Sequence, residues 1–157
     1  MKIIYFLIEI PKRELELRVE LSRRIKKIDG DVKFVFIDHL FFEKNIQKFP
    51  KGVILYKDFS KWRALPILRK AHEFGFAFAT MDEEGLYFFN PSIYKLRSNA
   101  EVIYNSDAVF FNGMTQFNAL NKIIKKIENI HIVGSIKFPI IDSGLFKKHQ
   151  NSIENIL

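Results

Sequence analysis

Short apolar runs alternate with amphipathic ones along most of this chain. Lys2 to Glu9 is apolar and β-branched, the pattern of a buried strand. From Lys12 to Ile28 the period changes. Leu17, Leu21, Ile25 and Ile28 fall on one helical stripe, and Glu20 precedes Arg24 on the polar side. Asp29-Gly30 ends that helix. Val32 to Ile37 reads as a second strand. A short segment through Lys48 and the turn Pro50-Lys51-Gly52 lead to a third, Val53 to Tyr56. Ser60 is a candidate cap for a helix reaching Phe74, with Pro66 as the alternative marker of its first turn and Gly75 as its stop. Phe76 to Thr80 forms a fourth strand, Ser98 to Tyr104 a short helical patch, and Ala108 to Phe111 a fifth strand. Met114 to Glu128 has a helical period, with Phe117, Leu120, Ile124 and Ile127 inward and Lys122, Lys125 and Lys126 outward. Ile130 to Val133 is a sixth strand, and Leu145 to Leu157 reads as a helix with no strand after it.

Strands alternating with helices predict an α/β class: a Rossmann-like open parallel sheet of about six strands with helices on both faces. At 157 residues a single domain over 1–157 is expected, with no internal repeat and no linker.

Composition narrows the partners. The chain has no cysteine, which excludes a disulfide framework, thiolate catalysis and Cys-based zinc sites and fits a cytoplasmic setting. The apolar start runs into Glu9 and a charged helix, not into a small-residue cleavage site, so it reads as a strand and not a leader. No apolar stretch approaches the roughly 20 residues that span a bilayer. A net charge of +7 favours a polyanion partner, an anionic membrane surface or a phosphate-bearing substrate among them. The abundance of Lys, Ile, Asn and Phe gives part of that charge a compositional origin. The 17 Phe fall mostly in strand-like runs, where core packing accounts for them better than base stacking, so nucleic acid is not the expected partner.

Several chemistries are excluded by motif. The chain lacks a Gly-rich dinucleotide fingerprint, a phosphate loop and a nucleophile elbow. His39, His72, His131 and His149 are scattered without ligand spacing, so neither a metal site nor a cofactor is expected. What remains is a set of positions at strand ends, where open α/β folds place ligands. After the first strand come Glu9, Arg13 and Glu14: either Arg13 and the helix-starting amides hold an anion, or Glu14 complements the helix dipole and Arg13 is a surface charge. After the fourth come Asp82, Glu83, Glu84 and Gly85, either mutually repelling carboxylates that supply a general base or a solvated acidic turn. Asn112, Gly113 and Gln116 follow the fifth strand, and Gly134, Ser135 and Lys137 the sixth. Each set is either a ligand contact or a plain turn and cap.

In their order along the chain, Glu9 with Arg13-Glu14-Leu15, Asp82-Glu83-Glu84-Gly85-Leu86, Phe111-Asn112-Gly113-Met114-Thr115-Gln116 and Val133-Gly134-Ser135-Ile136-Lys137-Phe138 carry a resemblance. Together they resemble the amino-terminal half of bacterial surface carbohydrate biosynthesis proteins, glycosyltransferases of the two-domain GT-B type distantly similar to polyglycerol-phosphate and capsule-linker transferases. The acidic-Gly block in register with Gly-x-x-Gln is its most specific part. The chain departs from the family where Asn112 stands in place of Trp, and where Gly134-Ser135-Ile136-Lys137-Phe138-Pro139 replaces Gly-Asn-Pro-Arg-Phe-Asp. The resemblance implies an acceptor-binding domain, a nucleotide-sugar donor held by a second domain beyond this chain, and a glycan or lipid-linked acceptor. It further implies no metal, a base among Asp82, Glu83 and Glu84, Arg13 on an anionic acceptor group, and a place at the inner face of the membrane. Alone, such a half is expected to be inactive.

A receiver-type signalling domain is the rival from another class. Asp58 after the third strand, Thr80 after the fourth and Glu9 after the first resemble its site, but the acidic pair and the Lys after the fifth strand are missing. A non-catalytic partner that has lost its donor domain is the third reading.

Overall fold

The computed structural model describes residues 2–83, 90, 92–124 and 128–134. These form strands β1 (Lys2–Ile8), β2 (Val32–Asp38), β3 (Val53–Tyr56), β4 (Ala77–Met81), β5 (Ala108–Phe111) and β6 (Ile130–Ile132). The helices are α1 (Pro11–Ile28), α2 (His39–Asn45), α3 (Ala64–Glu73), α4 (Ser92–Arg97), α5 (Ala100–Asn105) and α6 (Met114–Ile124), with a 3-10 turn at Ile46–Lys48. All pairings are parallel and the sheet order is β2-β1-β3-β4-β5-β6. The fold is the expected Rossmann-like α/β sheet, with helices on both faces.

Right-handed crossovers explain which helix lies on which face. The chain moves from β1 outward to β2 through α1, then returns past β1 and proceeds in one direction to β6. One face therefore carries the later helices. Phe42, Ile46, Leu65, Leu68, Ala71 and Val102 pack there on Tyr5, Leu7, Ile54, Tyr56 and Phe78. Tyr94, Ile103 and Leu120 extend this layer over Val109 and Phe111. The opposite face, built by Phe6, Ile8, Leu55, Ala79 and Met81, receives Leu21 of α1.

Several boundaries differ from the sequence expectation for identifiable reasons. The segment through Lys48 is mostly helical, because Asp38 caps α2 by accepting from Phe41 N–H at 2.8 Å and Phe42 and Ile46 bury one turn apart. Ser60 holds a turn that precedes α3: its Oγ accepts from Arg63 N–H at 3.2 Å and its carbonyl from Ala64 N–H at 3.1 Å. Pro66 sits in the first turn of α3, where its missing N–H costs nothing. Phe76 N–H to Ala71 O and Gly75 N–H to His72 O close that helix in a Schellman motif, with Gly75 at φ +73°. The patch predicted at Ser98 to Tyr104 is α5, which Asn99 caps through Val102 N–H, and the preceding α4 at Ser92–Arg97 was not expected. The helix from Met114 does not reach Glu128, which lies in the bend into β6. Ile28, expected inward, is 89% exposed at the last position of α1. The tail helix predicted at Leu145 to Leu157 lies outside the described residues.

Gly52 permits a close approach that fixes the β1–β3 pairing. A Cβ there would stand 2.6 Å from the Ile3 carbonyl oxygen, which is backbone and cannot yield by a rotamer change. Gly52→Ala is expected to cost about 1–3 kcal/mol in denaturant unfolding, whereas Gly30→Ala, with nothing near its Cβ, leaves the midpoint unchanged.

Candidate functional site

Sheet order fixes where a site belongs. The connections from β1 and β3 leave toward opposite faces, so a crevice opens between their carboxyl ends, the position where such sheets bind ligands. A cavity of about 700 Å³ lies there. Glu9 enters it from the β1–α1 connection and Glu14 from the first turn of α1, Lys57 and Asp58 from the end of β3, and Asp82 and Glu83 from the end of β4.

Lys57 is the centre of the first cluster. Its ammonium stands 2.9 Å from Glu9 Oε2 and 2.6 Å from Glu14 Oε1, while Glu14 Oε2 accepts from Glu9 N–H at 2.9 Å. His39 Nδ1 is 3.1 Å from the other Glu9 oxygen, and Arg63 Nη1 is 3.6 Å from Glu9 Oε2. Glu14 is therefore not a solvent-facing dipole partner but a carboxylate 2% exposed, fixed by an ammonium and a backbone amide. Helix-starting amides offer an anion little here. Pro11 has no N–H, and those of Arg13 and Glu14 both go to Ile10 O.

Burial alone would raise the carboxyls of Glu9 and Glu14. Hydrogen bonds from Lys57, with His39 on Glu9 and the Glu9 amide on Glu14, outweigh it and hold both below the ordinary carboxylate value. The sign follows for stability. Both groups contribute fully above the unfolded value near 4.5 and lose that contribution as pH falls through their depressed folded values. The thermal midpoint is expected to drop steeply below about pH 4.5, and the drop to be shallower in Glu14→Gln, measured by calorimetry across pH 2–7.

The second cluster organises the acidic block. Asp82 and Glu83 are 2% and 6% exposed, so the exposed, solvated turn weighed from sequence is overturned. Glu83 forms an ion pair with Arg18, whose side chain is fully buried with its guanidinium 5.2 Å over the Phe6 ring. Asp82 lies 3.5 Å from Arg97 Nη2 and 3.3 Å from Gln116 Nε2. Gln116 Oε1 accepts from Asn112 N–H at 2.9 Å, and Asn112 Nδ2 donates to the Asp82 carbonyl. Both ends of the Gln116 amide are thus engaged by protein. Asn112 and Gln116 brace Asp82 from behind, and neither is among the described residues that line the cavity. Glu83 N–H donates to Lys57 O at 3.2 Å, which joins the two clusters through backbone.

The cavity rim is basic and aromatic. Arg13 and Arg63 are 53% and 59% exposed, Arg97 is 35% exposed, and Trp62 is 83% exposed with the Lys61 ammonium 5.6 Å from its ring centre. Of the positions expected from sequence, Glu9, Arg13, Glu14, Asp82 and Glu83 share this cavity. Gly113 lies in the turn into α6, and Gly134, at φ +82°, borders a separate apolar groove. Glu84, Gly85, Ser135 and Lys137 lie outside the described residues.

Sequence reasoning passed over Lys57, Arg18, Arg63, Arg97 and Trp62. One signal was present: Glu14 and Arg18 are one turn apart beside the apolar stripe of α1, and a charge at an inward position implies a buried partner. No group of three or more His, Asp or Glu side chains arranged to hold a metal occurs among the described residues. No helix among them is long and apolar enough to cross a membrane. Compared with known protein-family models and with curated proteins, the chain matches none.

Proposed function

We propose that this chain is the acceptor-binding half of a GT-B-type glycosyltransferase of bacterial surface polysaccharide synthesis, completed by a second domain that holds the nucleotide-sugar donor. One observation carries the reading: a cavity at the sheet's switch point combines a carboxylate floor, a cationic rim and an exposed Trp. Carboxylates accept hydrogen bonds from sugar hydroxyls, an indole face packs against a pyranose ring, and guanidinium groups pair with phosphate. Asp82 is the preferred base, because Glu83 pairs with the fully buried Arg18, while Asp82 borders the cavity with one oxygen near Gln116 and the other 3.5 Å from the partly exposed Arg97. Its net charge of +7 would hold the protein against an anionic membrane on the cytoplasmic side, where a lipid-linked acceptor is presented.

Trp62 is the single tryptophan and lines the cavity, so its fluorescence reports binding without a donor domain. A saturable change is expected with an oligosaccharide phosphate, reduced at least about tenfold in affinity by Arg63→Ala, a loss of about 1.4 kcal/mol. No change, or an equal response to inorganic phosphate alone, would overturn the reading.

The receiver-type alternative draws on Asp58, which lines the same cavity after β3. Against it, the Lys57 ammonium already bridges Glu9 and Glu14, where that chemistry requires a divalent cation, and Asp58 Oδ1 accepts from Ser60 N–H at 2.8 Å. A non-catalytic partner would keep the cavity and its ligand and lack transfer only.

A further inference from the structure

The elements that open the cavity also carry exposed apolar side chains to its lip. Trp62, 83% exposed, stands between Lys61 and Arg63 in the β3–α3 connection, and Leu96, 86% exposed, between Lys95 and Arg97 in α4. Ile10, 46% exposed at the cap of α1, is followed by Pro11, Lys12 and Arg13. All three apolar residues line the same cavity. Among the described residues that line it, every exposed charged side chain is a cation, whereas the carboxylates are half-buried or buried. A negative floor thus lies behind a positive lip studded with apolar tips.

We infer that this lip is a membrane-docking face: the cavity opens onto an anionic bilayer, with Trp62, Leu96 and Ile10 set into the boundary between headgroups and acyl chains and the flanking cations on lipid phosphates. Single exposed apolar residues are ordinary, but three converging from separate elements on one opening form a patch. The way they are interleaved with charge identifies the partner. A protein interface gathers its apolar side chains into a core depleted of charge. Here the two most exposed apolar side chains are each flanked by cations on both sides. That arrangement suits insertion by about 5–10 Å, with ammonium and guanidinium groups held at headgroup level, and an indole favours the same depth.

The net charge of +7 draws the chain toward such a surface, and the lip decides which side arrives. Docking in this orientation deepens the acceptor reading and rests on it for what enters the cavity. A lipid-borne headgroup would reach the carboxylate floor without leaving the bilayer.

Trp62 is the single tryptophan and therefore reports the depth of the lip. The full chain is expected to float with vesicles of mixed phosphatidylglycerol and phosphatidylcholine, and bromine-labelled acyl chains to quench Trp62. Leu96→Ser should weaken partitioning about tenfold by removing a buried apolar side chain, with an unchanged thermal midpoint because Leu96 is exposed in the protein alone. Lys61→Gln with Lys95→Gln should weaken it about 25-fold, at about fivefold per cation. Lys26→Gln with Lys27→Gln removes the same charge from the far end of α1 and should change it less than about twofold. Equal losses from the two pairs would reduce the attraction to net charge and overturn the inference. So would no flotation, flotation without quenching, or a Trp62 response to soluble glycerol phosphate equal to that with vesicles. A Trp62 response to protein concentration alone would place a second copy at the lip and overturn it as well. The vesicles hold no glycan, so a failure here leaves the response to oligosaccharide phosphate standing, and a failure of that response leaves docking standing.

Discussion

Glu83→Gln is expected to destabilise the fold by about 3–5 kcal/mol, because it removes the charge that compensates a buried guanidinium. Arg18 has no exposed side-chain surface, and its neighbours are the Phe6 ring and the Glu83 carboxylate. Burial already works against its cationic form, and Glu83 is the largest of the influences opposing it. Glutamine preserves volume while leaving the cation without its ion partner. Glu14 also attracts Arg18, so the loss should fall toward the lower end of that range. For a chain of this size the thermal midpoint should fall by about 6–20 °C. Arg18→Met combined with Glu83→Gln removes both charges and should recover much of the loss, since a buried pair contributes less than its broken half costs. An unchanged midpoint in Glu83→Gln would mean that Arg18 reaches solvent or another anion, and the buried-pair account would fail.

That pair marks the boundary of what the sequence reveals. Strands β3 and β5 are legible to the residue, because a strand buried on both faces in a parallel sheet is a continuous apolar run bounded by turn residues. The short helices α2, α4 and α5 are less legible: α2 and α5 are each fixed by one capping side chain, and none of the three is long enough to show a sustained period. Strand-end positions were legible as a set, because strand direction alone brings Glu9, Asp82 and Asn112 to one edge. Their electrostatic state was not. Asp82 and Glu83 look solvated until Arg18 from α1 and Arg97 from α4 arrive, and those contacts are made by the fold and not by neighbours in sequence. Likewise, Glu14 reads as a first-turn complement to the helix dipole until Lys57 is placed between it and Glu9.

Asp82 and Glu83 separate in consequence, and activity should divide them. In the protein completed by its donor domain, Asp82→Asn is expected to lower the transfer rate by about 10²–10⁴ while shifting the thermal midpoint little. Asparagine keeps the volume and one oxygen that can accept from Gln116, and Arg97, which meets the other oxygen of Asp82, is exposed enough to be solvated without that partner. What asparagine cannot do is accept the proton of an attacking hydroxyl. Glu83→Gln would also reduce transfer, but in step with the loss of folded protein, and activity per folded molecule at low temperature should remain within about tenfold of the parent. The measurement is therefore paired: rate per folded molecule against thermal midpoint for both variants, with donor and a lipid-linked acceptor. Full activity in Asp82→Asn would remove the catalytic assignment and leave the carboxylate as a brace between β4, α4 and α6. A loss confined to KM would keep Asp82 in the cavity as a contact to acceptor hydroxyls and deny it the role of base.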